Sequence, residues 1–307
     1  MNRIALRSAV TTLAISGFAA AALAPTVAHA DLPLAPACAE VKDTVGSHFE
    51  VRHCDVTDVD QFRTNLDGNG NTHCGPASLY NILYYLGEKK GLPARITPNG
   101  QNLTEYDPKT PAHYPMVTAW IGWLGYEAGM DTTPTGTSAA GNRKAFDAAT
   151  ATAKANGWFV DRGQINSNDV SEFGLEIAKK TAHAPVQIWY GRYTANGDRT
   201  YTRGGGHITT VVSAKGDLGT GVVELTLADP GRAADHKTDG YLDTQSAYRY
   251  ETVQLTRQTV NVKVVPEDAA PYVVQRTYWK LTGDNYVGET TQFVEGFNWY
   301  AAAPPVG

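Results

Sequence analysis

The chain has 307 residues, 42 % of them hydrophobic, enough to bury a sizeable core without disulfides to compensate for smallness. Its 26 basic residues stand against 31 acidic ones, net charge −5, and no basic cluster interrupts the sequence. Nucleic acid and anionic membrane surfaces are thereby poor partners.

Arg3 and Arg7 precede the apolar run AVTTLAISGFAAAALA, which ends at PTVAHA before Asp31. A positive stretch, an apolar stretch and an A-x-A site (Ala28, His29, Ala30) form the pattern of a secretory signal peptide over residues 1–30, cleaved after Ala30. The run is about 16 residues long, where a spanning helix needs roughly 20. Cleavage would leave 24 basic and 31 acidic residues, net −7, in an exported chain with no membrane attachment. Such a surface repels like-charged partners and suits cationic or neutral ones.

Export implies an oxidising compartment, and three cysteines remain: Cys38, Cys54 and Cys74. Cys38 and Cys54 fall in a loop-like N-terminal extension, 31–55, and are expected to bridge. Cys74 is then the free thiol, either a buried small residue or a functional one.

NLDGNGN (65–71) is a turn-rich loop. Asp67, Asn69 and Asn71 imitate the start of a calcium loop, but Thr72 replaces its required glycine and Ser78 its final acid. From Gly75 the pattern is helical, with Leu79, Ile82, Leu83 and Leu86 on one face and Pro76 in the tolerant first turn. Further helices are expected across 114–129, within 141–156, and across 168–183 with Asp169 as N-cap. After Pro185 the pattern turns to strands: VQIWYGRY, HITTVVSA and VVELTLAD, separated by turn clusters. Residues 248–265 and 272–300 are also strand-rich. Trp299 and Tyr300 read as part of a final strand, or alternatively as a carbohydrate-binding surface. The fold expected is α+β, with helices packed on an antiparallel sheet. A core unit would span 56–235, with residues 236–307 completing its sheet or appended to it.

Cys74 at a helix start has a chemical consequence. Unpaired N–H groups and the positive end of the helix dipole stabilise a thiolate, and a partner imidazole lowers the thiol further. His207, in RGGGHITTVVSA, opens a strand behind three glycines that leave the backbone bare for an approaching chain. Asp229, in VVELTLADPG, ends the next strand and is placed to orient that imidazole. Taken singly, His207 reads as a structural histidine and Asp229 as an ordinary turn residue; their order and context together point to chemistry.

Together, CGPAS (74–78) on its helix, the PVQIWY strand, GGGHITTVVSA and LADPG resemble the peptidase C39-like family of papain-like cysteine peptidases, over roughly residues 56–232. The resemblance implies a papain-like fold and a secreted thiol peptidase, with Cys74 as nucleophile, His207 as general base and Asp229 as orienting acid. It also implies an upstream glutamine that, with the Cys74 N–H, receives the oxyanion. Gln61 is the candidate, although 13 residues separate it from Cys74. The papain signature around its cysteine is absent. No metal or other cofactor is expected, since no metal-ligand spacing occurs. The expected partner is a peptide or protein substrate, cell-wall peptides included. Amide transfer and a non-catalytic binding role are the alternatives.

Overall fold

The computed structural model describes residues 38–306 except 46, 96–99, 131–135 and 232–249. The expected signal peptide lies outside the described residues.

Four α-helices fall close to the expected positions. α1 (Cys74–Lys90) begins at the cysteine itself. It ends where Gly91 turns left-handed at φ +73°, its N–H reaching Gly87 O and that of Leu92 reaching Leu86 O. Such a close needs a residue without a Cβ. Residues 75–86 are all buried, so α1 runs through the interior rather than along a surface. α2 spans Tyr114–Glu127 and α3 spans Ala139–Ala155, the latter capped by the Ser138 hydroxyl on the Gly141 N–H. α4 (Phe173–Thr181) starts later than expected. Asp169 does not cap it; its carboxylate accepts from Asn166 in the preceding turn at 2.7 Å.

The expected papain-like α+β fold is not the one observed. The described residues are 38 % strand and 29 % helix, and the strands form one nine-stranded, almost wholly antiparallel sheet. It comprises β1 (Val41–Val45), β2 (His48–Arg52), β3 (Phe159–Asn166), β4 (Val186–Ala195), β5 (Thr200–Asp217), β6 (Val222–Ala228), β7 (Tyr250–Val264), β8 (Tyr272–Thr282) and β9 (Thr291–Ala303). The order runs β1-β2-β5-β4-β9-β8-β7-β6, with β3 on β9 and a further pairing of β6 with β5. That last pairing joins the two ends of the path from β5 to β6, so six strands close on one another. A closed sheet buries its own inner face and needs no helical layer to do so. Val186, Ile188, Val211, Leu225, Leu255, Trp279 and Phe297 form the resulting core, with Phe173 and Ile177 of α4. A second core lies among α1, α2 and α3.

Tyr300 belongs to that second core, 1 % exposed, with its hydroxyl on Gln187 Oε1 at 2.9 Å. The carbohydrate-surface reading therefore fails for Tyr300.

Cys38 and Cys54 are disulfide-bonded and Cys74 is free. The bridge is reinforced by Glu40, which accepts the Cys54 N–H at 2.9 Å and meets His53 Nδ1 at 3.0 Å. Closing a loop of this length stabilises by roughly 3 kcal/mol in the chain-entropy model. The double variant C38S/C54S should melt several degrees lower; an unchanged melting temperature would contradict this account of the N-terminal segment. No helix among the described residues is long and apolar enough to cross a membrane.

Candidate functional site

Cys74, His207 and Asp229, distant in sequence, meet in space. Cys74 is the first residue of α1, half-buried, and borders the same cleft as His207 and Ile208, close enough for both to act on its thiol. α1 is held against β5 by Ser78 Oγ and Thr210 Oγ1, 2.9 Å apart, and by Gln187 Nε2 donating to Gly75 O at 2.9 Å. These polar ties fix the start of the helix where the thiol projects.

His207 is 7 % exposed, and its Nε2 lies 2.5 Å from Asp229 Oδ1. With Nε2 committed to the carboxylate, Nδ1 is the ring nitrogen left to face the thiol. Asp229, 2 % exposed, directly follows the last residue of β6. Its Oδ1 also accepts the Gly231 N–H at 2.9 Å, and its Oδ2 accepts the Tyr286 hydroxyl at 2.6 Å. A buried carboxylate with that many donors stays ionised.

The charges follow from these contacts. Burial alone pushes the Cys74 thiol up, but the hydrogen bond and charge of His207 and the Ile208 N–H outweigh it, leaving the thiol below its ordinary value. Burial would lower His207, yet Asp229 holds the imidazole well above the usual histidine range. Burial raises Asp229 and His207 more than offsets it, so the carboxyl stays below its normal value. Each shift favours the charged form of its group: thiolate, imidazolium and carboxylate.

The Cys74 N–H has no acceptor among the described residues, an open donor beside its own sulfur. Gln61 stands in the same cleft, anchored by its N–H on Pro230 O at 3.0 Å. The 13-residue gap is absorbed by loop 65–71, where Asn65, Gly68, Asn69 and Gly70 all adopt positive φ. Gly70 passes so close to the Gln61 carbonyl that no Cβ fits there. Gln61 Nε2 donates to Gly70 O at 3.2 Å and Asn71 O at 3.0 Å, while its Oε1 is buried without a hydrogen bond. In this arrangement the amide is held to its own loop and would have to give up one of these hydrogen bonds to meet an oxyanion.

A cleft of about 540 Å³ runs over the thiol, bordered by Gln61 and Thr72, by Thr137 and Ser138, and by Trp189 and Arg203. His73 turns the other way, into a hollow beside α2, and does not line the cleft. Among the described residues no three His, Cys, Asp or Glu side chains converge as metal ligands would.

Two members of the site escaped the sequence reading. Tyr286 comes from a 3-10 turn, 57 residues beyond its partner Asp229, with no local pattern to mark it. Gly231 was visible in LADPG only as a turn glycine. A Cβ there would lie 2.7 Å from His207 Cε1 and 3.2 Å from Gln61 Oε1, so the bare backbone makes room for the ring.

The donors around Asp229 give a specific expectation. An asparagine can present its oxygen to His207 and Gly231, and its amide to the Tyr286 oxygen. Asp229→Asn should keep the ring in place but lose the charge, lowering reactivity roughly tenfold and raising the apparent thiol pKa. Asp229→Ala should lose far more, and equal effects of the two variants, read from alkylation rates against pH, would contradict this geometry.

No family model matches the chain, and no curated protein matches it.

Proposed function

We propose that the protein is an exported cysteine peptidase, related to the C39-like enzymes, that hydrolyses peptide bonds through an acyl-enzyme on Cys74. The observation that carries this reading is the line from a thiol at a helix N-terminus, through a buried imidazole, to a buried carboxylate. The order of the three along the chain supports the C39-like relationship. The Cys38–Cys54 bridge supports export.

The thiolate attacks the carbonyl carbon, forming a C–S bond and placing the charge on oxygen, where the Cys74 N–H donates. As the C–N bond breaks, the His207 imidazolium gives its proton to the leaving nitrogen. Neutral His207 then takes a proton from water, whose hydroxide adds to the acyl carbon. The carboxylic acid departs, thiolate and imidazolium are restored, and Asp229 remains ionised throughout.

One observation favours a second reading, a binding protein without turnover: both Gln61 Nε2 protons are committed to loop carbonyls. The experiment that separates the two is digestion of a denatured protein mixture, with peptides identified by mass spectrometry. Cleavage that disappears after iodoacetamide treatment supports the peptidase; no cleavage despite a reactive Cys74 supports the binding protein.

A further inference from the structure

Basic residues that the sequence scatters are gathered by the sheet on one side of His207. Arg192 lies on β4, Arg203 on β5, Lys263 on β7 and Arg276 on β8. The first two border the cleft over Cys74. The last two border an adjoining hollow of about 560 Å³, and Trp189, Arg203 and Glu295 border both. Glu295 is the one acid lining either hollow among the described residues, in a chain whose overall charge is −5.

Glu295 is already neutralised. Arg203 Nε and Nη2 donate to its two oxygens at 2.7 and 3.1 Å, and the Tyr193 hydroxyl donates at 2.6 Å. The pair lies flat on the sheet because Gly191 and Gly206, opposite each other in register, carry no side chains. A Cβ on Gly206 would come 2.8 Å from Arg203 Nη2, and one on Gly191 would strike Glu295. The glycine preceding His207 therefore makes room for the Arg203 guanidinium in the cleft that His207 also borders, with Nη1 left unpartnered among the described residues. Arg192, exposed and opposite Gly205, has no acceptor among the described residues. Asp198, at the β4–β5 turn, acts on Lys263 but borders neither hollow.

The chemistry of cleavage gives this patch a direction. The leaving nitrogen takes its proton from His207, so the departing part of the substrate must lie on the imidazole side, where Arg192 and Arg203 stand. We infer, building on the peptidase reading above, that this subsite receives carboxylates on the leaving-group side of the scissile bond. The substrate is then an acidic peptide segment, or a peptide with a free carboxylate, whose chain continues over the Arg203–Glu295 pair toward Lys263 and Arg276. This reverses the preference for cationic partners suggested by net charge, because a focused local field outweighs a diffuse opposite one. Arginine suits the task, since its planar fork matches a carboxylate.

Two measurements test it. The first compares alkylation of Cys74 by anionic iodoacetate and neutral iodoacetamide in the wild type, in R192Q, and in R203Q/E295Q, which removes the ion pair without stranding an acid. The iodoacetate-to-iodoacetamide rate ratio should fall roughly threefold or more in R192Q, as expected for losing one charge near the thiol at intermediate dielectric. An unchanged ratio in both variants overturns the inference. The second uses quenched fluorescent peptides with Glu, Gln or Lys at the first two leaving-side positions. Glu peptides should be cleaved about tenfold more efficiently than Lys peptides, chiefly through KM, and Arg192→Glu should reverse the order. Cleavage without such a preference overturns the subsite and leaves the peptidase reading standing. Slow alkylation by both reagents with no cleavage overturns both.

Discussion

Replacing Cys74 by alanine should eliminate peptide hydrolysis, a loss of roughly 10⁴-fold or more, as found when the nucleophile of a triad is removed. Among the described residues that border the cleft, Cys74 is the nucleophile that His207 acts on. His207 stays locked to Asp229 at 2.5 Å, and the first-turn hydrogen bonds of α1 do not involve the side chain. The fold should therefore survive, with a melting temperature close to wild type, since alanine favours helix. Serine should do little better than alanine, because its hydroxyl does not ionise beside the imidazole as a thiol does. Hydrolysis retained in Cys74→Ala at a rate comparable to wild type would show that the chemistry lies elsewhere.

Gly231→Ala should be nearly as damaging, although the residue takes no part in any step. The added methyl would stand 2.7 Å from His207 Cε1 and 3.2 Å from Gln61 Oε1. The ring cannot retreat without leaving Asp229, and Gln61 is held by loop 65–71 on its far side. Turnover should fall roughly 100-fold, the order of loss expected from displacing a reacting group by about an ångström. Overpacking should also lower stability by about 1–3 kcal/mol. A displacement of the imidazole predicts a raised thiol pKa as well, which simple destabilisation does not. Wild-type alkylation behaviour in this variant would refute the packing argument.

The site was more legible in the sequence than the fold. Cys74 could be placed at a helix start because CGPAS precedes a regular apolar period, and α1 begins there. His207 and Asp229 could be aligned because a glycine run and an Asp-Pro-Gly turn flank two apolar stretches, although the glycines lie inside β5 and His207 in its middle, not at a strand start as expected. Those two strands do pair, although their ladder begins beyond His207, at Thr210 and Ala228. What escaped notice depends on chain closure. The pairing of β6 with β5 leaves no trace in either strand, so the sequence suggested helices covering a sheet rather than strands closing on themselves. β1 and β2 are only five residues long, so the alternation of HFEVR in β2 is too brief to stand out, and β3 is half-exposed. Tyr286 and the gathering of Arg192, Arg203, Lys263 and Arg276 are products of tertiary arrangement alone. The glycines of RGGGH suggest room for a substrate; one of them makes room for Arg203 instead.

The most direct test of the account is the rate of Cys74 alkylation by iodoacetamide across pH 4 to 10, in the wild type and in His207→Ala. With the thiol lowered and the imidazole raised, the reactive ion pair forms as pH climbs through the depressed thiol value. It is lost as pH passes the elevated imidazole value, and both values belong to the coupled pair. Alkylation should already be fast near pH 6. In His207→Ala the apparent pKa should move to about 8.5 or above, with a fall of roughly 100-fold at pH 6. A thiol that titrates near 8.5 in both proteins would contradict the ion pair and the peptidase reading built on it.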